Sequence, residues 1–190
     1  MKKEEISLAT KQQLAQALKN AMAKKPFEKI KVSDLLSATN LTRPTFYYHF
    51  QDIYALLEWM FENEAISLLQ KSEDCYTWDE GVLLLMRYVQ NNSAVCLCAY
   101  HSLGRDAMER MFFRDVEKTM KNIVETLAID IPAKQEHKDF IIDFYTRAFV
   151  STLVSWLTSG MKQSPEEMVD LLDVTMHGTL AAALKRSADE

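Results

Sequence analysis

Apolar side chains recur at intervals of three and four along nearly the whole chain, the spacing of one face of a helix. Leu14, Ala17, Leu18, Ala21 and Met22 set out a first helix, with Thr10 as its candidate cap and residues 1–9 as a frayed arm. Leu35 and Leu36 sit on a short second pattern that starts after Lys31, and Ala38-Thr39-Asn40 breaks it. Asn at the break tolerates the left-handed backbone of a tight turn. A third short helix follows at once. Thr42 is its candidate N-cap and Pro44 lies in its first turn, where a missing N–H does no harm. Phe46 and Phe50 are four apart and face inward with Leu41, and Phe27, Ile30 and Val32 close the same small core.

Longer apolar stripes predict helices over 51–70, 78–91, 94–103, 105–129 and 136–159, with the polar stretch 72–77 (SEDCYT) as a linker. Gly160 closes the last of these. Ser164-Pro165-Glu166-Glu167 reads as the capped start of one final helix, carrying Met168, Leu171, Leu172, Thr175, Met176, Leu180 and Leu184. No strand-like alternation persists. Four Gly and four Pro in 190 residues agree with an all-α fold of about nine helices.

Charge divides this chain more sharply than length does. Residues 1–50 hold nine Lys/Arg and four acids, a net +5, while residues 51–190 hold 13 basic and 23 acidic side chains, a net −10. A basic head can neutralise phosphates while an acidic body stays off the duplex. The expected division is a DNA-binding head over 1–52 and a helical body over 53–190.

The head's candidate chemistry lies on the third helix. Arg43, Thr45, Tyr47, Tyr48 and His49 cover its outer surface, and no carboxylate is among them. A short helix, a tight turn and a second helix with such a face describe a helix-turn-helix. Arg43 is the leading base reader, because its fork can hold guanine O6 and N7 together. Thr45 and Tyr47 can meet base edges or thymine methyls. Lys31 and Ser33, at the start of the preceding helix, can add phosphate contacts, and Thr42 completes the set.

The segment TRPTFYYHF, preceded by VSDLL and followed by ALL, resembles the DNA-binding segment of the TetR family of transcriptional regulators. The likeness runs from about Thr10 to Leu57. It implies an N-terminal three-helix DNA-binding domain followed by a helical domain for effector binding and dimerisation. It also implies that Tyr48 and His49 hold phosphates. Two positions depart from the family pattern. Lys31 stands where a Thr or Ser cap is usual, exchanging a cap for a cation. Ile53 stands where the linking helix usually carries a phosphate-meeting lysine. A shorter stretch, WLTSGMKQSP at 156–165, is similar to the end of a TetR-type C-terminal domain.

One short helix reads few base pairs, so two copies spaced about 34–36 Å apart on a palindrome are expected. The last two helices are the expected seam, with Phe149, Leu153, Trp156, Leu172 and Met176 as anchors. Aromatic and soft residues in the middle helices are the candidate effector pocket: Tyr76, Trp78, Met86, Tyr100, His101, Met111, Phe112, Phe144 and Tyr145. The leading expectation is a homodimeric repressor released from its operator by an unidentified small molecule. The alternative is a DNA-binding regulator that answers to a protein partner and can act as an activator. A metal or redox sensor through Cys96, Cys98 and His101 is a further alternative. Cys98 and His101 share a helix face, but Cys96 points elsewhere. Buried small hydrophobes are the simpler reading of the cysteines.

No catalytic constellation or phosphate loop stands at recognisable spacing, so neither an enzyme nor a cofactor is expected. The opening MKKEEISLATKQQ is too polar for a signal peptide, and no apolar run is expected to reach the length of a membrane span, about 20 residues. An odd cysteine count gives no disulfide framework. A cytoplasmic location is the expectation.

Overall fold

A computed structural model describes residues 3–70, 78–176 and 178–188, with side chains placed for most of them. The expected linker at 72–77, with Cys75 and Tyr76, lies outside the described residues, as does the side chain of Trp78. Every regular element among the described residues is helical. The chain forms two compact units: residues 1–64 with 92–108, and residues 65–91 with 109–190.

The first unit contains α1 (Lys3–Met22), a 3₁₀ turn (Phe27–Lys29), α2 (Val32–Thr39), α3 (Arg43–His49), most of α4 (Ile53–Gln70) and α6 (Ser93–Leu103). α1 packs on α2, α3 and α6, and α6 also packs on the 3₁₀ turn. Leu14, Leu18, Leu35, Phe46, Leu56 and Met60 are fully buried. Burying each side chain of this size contributes about 1.5–3 kcal/mol, enough to fix the two short helices α2 and α3, which could not stand alone.

α1 starts seven residues before Thr10, so the expected frayed arm is helical from Lys3. Glu4 and Glu5 in the first turn suit the positive helix end. Thr10 is not a cap: its hydroxyl donates to the Ile6 carbonyl one turn back, at 2.9 Å.

The second unit holds α5 (Trp78–Asn91), most of α7 (Arg105–Leu127), α8 (Gln135–Thr158), α9 (Pro165–Met176) and α10 (Thr179–Ala188). Met120 and Val124 of α7, Ile141 and Ile142 of α8, and Leu180 and Leu184 of α10 form one buried cluster. α8 ends in a Schellman motif: Met161 N–H reaches the Trp156 carbonyl at 3.0 Å and Gly160, at φ +87°, reaches that of Leu157. α9 opens with a reciprocal capping box, in which Ser164 N–H donates to Glu167 at 2.7 Å and Glu167 N–H to Ser164 Oγ at 3.1 Å.

Two expectations fail here. The single final helix is two, α9 and α10, with Gly178 before α10 at φ +72°. Side chains at the apolar period ran through this point, but a left-handed residue cannot continue a helix. α8 is also long and apolar enough to cross a membrane by length and composition, contrary to the expectation that no run would be. Half of its apolar window is buried inside the protein, and this burial accounts for the composition.

Candidate nucleic-acid interface

Local rules place the site. Asn40 takes φ +56° and ends α2, as the break in the pattern required. The Thr42 hydroxyl caps α3, accepting from the Thr45 N–H at 3.4 Å and lying 2.8 Å from the Thr45 hydroxyl. Phe46 is 0% exposed and Phe50 is buried. Those two anchors turn the rest of α3 outward. Arg43, Tyr47 and Tyr48 are exposed, Tyr48 by 71%, while Thr45 and His49 are half-buried.

The outward face is organised. The Arg43 guanidinium sits 6.0 Å from the Tyr47 ring, and Tyr48 meets His49 edge-on at 4.9 Å. Burial, and then the Lys11 charge, lower the His49 pKa below the ordinary histidine value. At neutral pH its imidazole is therefore a neutral donor. Lys11 lies 5.6 Å from the Trp59 ring and 5.9 Å from that of Phe50, both beneath the end of α3.

Lys31 and Ser33 are both exposed at the start of α2. Lysine has no acceptor with which to cap, and the structure supplies the cap from the other direction. Asp34 Oδ2 accepts the Lys31 backbone N–H at 2.9 Å and the Lys25 ammonium at 2.6 Å. Sequence reasoning missed Asp34 and Lys25. An acid three residues after the cap position was the available signal. The one carboxylate on α2 is thus neutralised by a lysine. Asp52 is engaged too, accepting the Ala55 N–H at 2.8 Å at the start of α4. Gln13 of α1 donates to the Thr39 carbonyl at 3.0 Å and pins the end of α2.

The other candidate sets are less coherent. Among the pocket residues, Met86 and Phe112 are buried, Met111 and Tyr145 are half-buried, and Phe144 is exposed; all belong to the second unit. Tyr100 and His101 belong to the first unit, where their rings lie 5.6 Å apart. His101 and Cys98 line one cleft of about 400 Å³ in that unit. Cys96 is fully buried, its thiol pushed up to about 12 by that burial. No group of three His, Cys, Asp or Glu among the described residues could hold a metal ion. Of the seam anchors, Phe149, Leu153 and Trp156 are buried within this chain, Leu153 to 1%, while Leu172 and Met176 are half-buried. Trp156 also donates its indole N–H to the Gln163 carbonyl at 3.0 Å.

A family model for a transcriptional regulator C-terminal region, TetR_C_8, matches residues 76–178, more than half of the chain. The chain belongs to the TetR family of transcriptional regulators. Among TetR-type relatives it is 38% identical over 86 residues to the HTH-type dhaKLM operon transcriptional activator DhaS of Lactococcus lactis subsp. lactis (strain IL1403). That match spans 45% of this chain and 46%, under half, of the relative. A solved structure of a dihydroxyacetone kinase operon activator DhaS superposes with a TM-score of 0.73 at 25% identity, covering 95% of this chain and 98% of that one. The TetR resemblance first seen in TRPTFYYHF thus extends through the helical body as well.

Proposed function

We propose that this TetR-type regulator binds duplex DNA as a homodimer, with residues 1–52 making the DNA contacts and 53–190 carrying the effector and dimer surfaces. The observation that carries the reading is the exposed, acid-free face of α3, fixed from behind by Phe46 and Phe50. Arg43 reads base edges, with Thr45 and Tyr47 beside it. Lys31, Ser33, Thr42, Tyr48 and His49 hold phosphates and so set register rather than sequence.

A seam between copies needs apolar surface that one copy leaves uncovered. Phe149, Leu153 and Trp156 have almost none left to bury. α8 leaves Phe140 and Phe144, stacked at 6.3 Å, and α9 leaves Leu171 and Val174. We assign the seam to these four, with a second copy as the occupant. The relative's role as an operon activator supports activation over the repression expected from the sequence. Such work on DNA would take place in the cytoplasm.

The test is anisotropy titration of a labelled random-sequence duplex at low and rising salt. Binding that weakens with a log–log slope of about −0.9 for each phosphate neutralised supports the reading. An absence of binding at low salt would remove it.

A further inference from the structure

Lys25 belongs to two places at once. Its ammonium is held on Asp34, and through Asp34 on the N–H of Lys31, the N-cap of α2. Its own carbonyl accepts from the Cys98 thiol of α6 at 3.7 Å. Between these attachments lies the cleft of about 400 Å³, within the range of small-molecule sites. Met22, Pro26 and Leu97 make its wall apolar, and Lys25, Glu28 and His101 bring polar groups to it.

We propose that this cleft binds a small amphiphilic cation, an amine carried on an apolar body, and that its occupancy is felt at α2 through Lys25. Charge selects the ligand. The positive charge in the wall is already engaged by Asp34. The Glu28 carboxylate is exposed and has no ion pair among the described residues. The charge left without a counterion is therefore negative. The exposed His101 imidazole adds a hydrogen-bonding group to the same cleft. An anion would meet Glu28 with no unpaired lysine or arginine among the lining residues to offset it, whereas an ammonium pairs with Glu28 while its apolar body covers Met22, Pro26 and Leu97. A body wedged between α6 and the end of α1 strains the Cys98–Lys25 link. Lys25 passes that strain to Asp34 and the cap of α2. The coupling rests on α2 being part of the DNA-binding tip; the site itself does not.

The cleft carries its own reporter. Cys98 lines it, and Cys96 is fully buried. Burial raises the Cys98 thiol above its ordinary range, the Phe27 backbone lowers it and the Glu28 charge raises it again, so capture by 4,4′-dithiodipyridine, which forms a mixed disulfide and releases thiopyridone without reacting with amines, is followed at mildly alkaline pH. The experiment uses the full chain with Cys75→Ser. The probe is 2-phenylethylamine, and 2-phenylethanol is its neutral counterpart. Protection is read as the ratio of capture rates with and without probe in each variant. The amine is expected to slow capture, about tenfold at ten times its dissociation constant. The alcohol should protect far less, and Glu28→Gln should remove the difference between the two. Equal protection by both, protection by neither, or amine protection undiminished in Glu28→Gln would overturn the site. Duplex affinity is then measured with the amine present. Unchanged affinity while Cys98 is protected would overturn the coupling. A protein that binds no duplex even without amine would defeat the DNA reading instead and leave the site standing.

Discussion

Asp34 and Lys25 meet at 2.6 Å, and the same carboxylate oxygen caps α2 by accepting the Lys31 N–H. The Lys25 hydrogen bond first, and the Lys31 N–H second, hold the Asp34 carboxyl below the usual carboxylate range. A lowered folded pKa means the contribution is complete above the unfolded value, near 3.8, and is lost as pH falls through the folded value. Asp34→Asn keeps an acceptor for the cap but loses the ion pair, and Asp34→Ala loses both. Amide exchange across the first turn of α2 should accelerate in both variants, more in Asp34→Ala. The acid-dependent loss of protection expected of the parent should be absent from both. Equal protection in all three proteins would show that the cap does not hold this turn.

Thr42 is the second local support. Thr42→Ala should lower stability by about 0.5–1 kcal/mol, the lower part of the range for such caps because the N–H···O distance is long at 3.4 Å. Thr42→Ser should keep most of it. Urea unfolding of the two variants checks this, and a Ser variant as weak as the Ala variant would contradict it.

The α2–turn–α3 tip was legible in the sequence because its rules are local. Asn40, Thr42, Pro44 and the Phe46/Phe50 pair each act within one turn. The capping box at Ser164–Glu167 was legible for the same reason. The cap of α2 was half legible. Lys31 looked like a lost cap, but the acceptor came from Asp34, and its lysine partner came from beyond the 3₁₀ turn. Which of the apolar positions stay uncovered was not legible, because an apolar stripe does not say whether its own chain or another covers it. Leu153 and Phe140 lie on one helix, yet one is 1% exposed and the other 70%. The break before α10 was hidden because the apolar spacing continues across Gly178 while its backbone does not.

Arg43 and Tyr48 should separate reading from holding. Arg43→Ala should weaken binding to the best site by about 1–3 kcal/mol and relax choice at one position per half-site. Tyr48→Phe, which removes only the hydroxyl from a ring that is 71% exposed, should weaken all sequences alike. Competition titrations with matched and mismatched duplexes distinguish the two. A uniform loss in Arg43→Ala would make it a phosphate holder.

Phe140 and Leu153 should separate assembly from folding. Phe140→Glu, at a position that is 70% exposed, should give a folded monomer by sedimentation with unfolding little changed. Leu153→Ala should lower subunit stability by about 2–5 kcal/mol, as for a buried leucine with a cavity left behind. A Phe140→Glu protein that remains dimeric would move the seam elsewhere.

The most direct measurement is selection of bound duplexes from a random pool by the parent protein. Two α3 helices held by one dimer should enrich a palindrome whose half-sites are centred about one helical turn apart, roughly 10 base pairs or a multiple of it. Enrichment of a single asymmetric site, or of no sequence at all, would contradict the account.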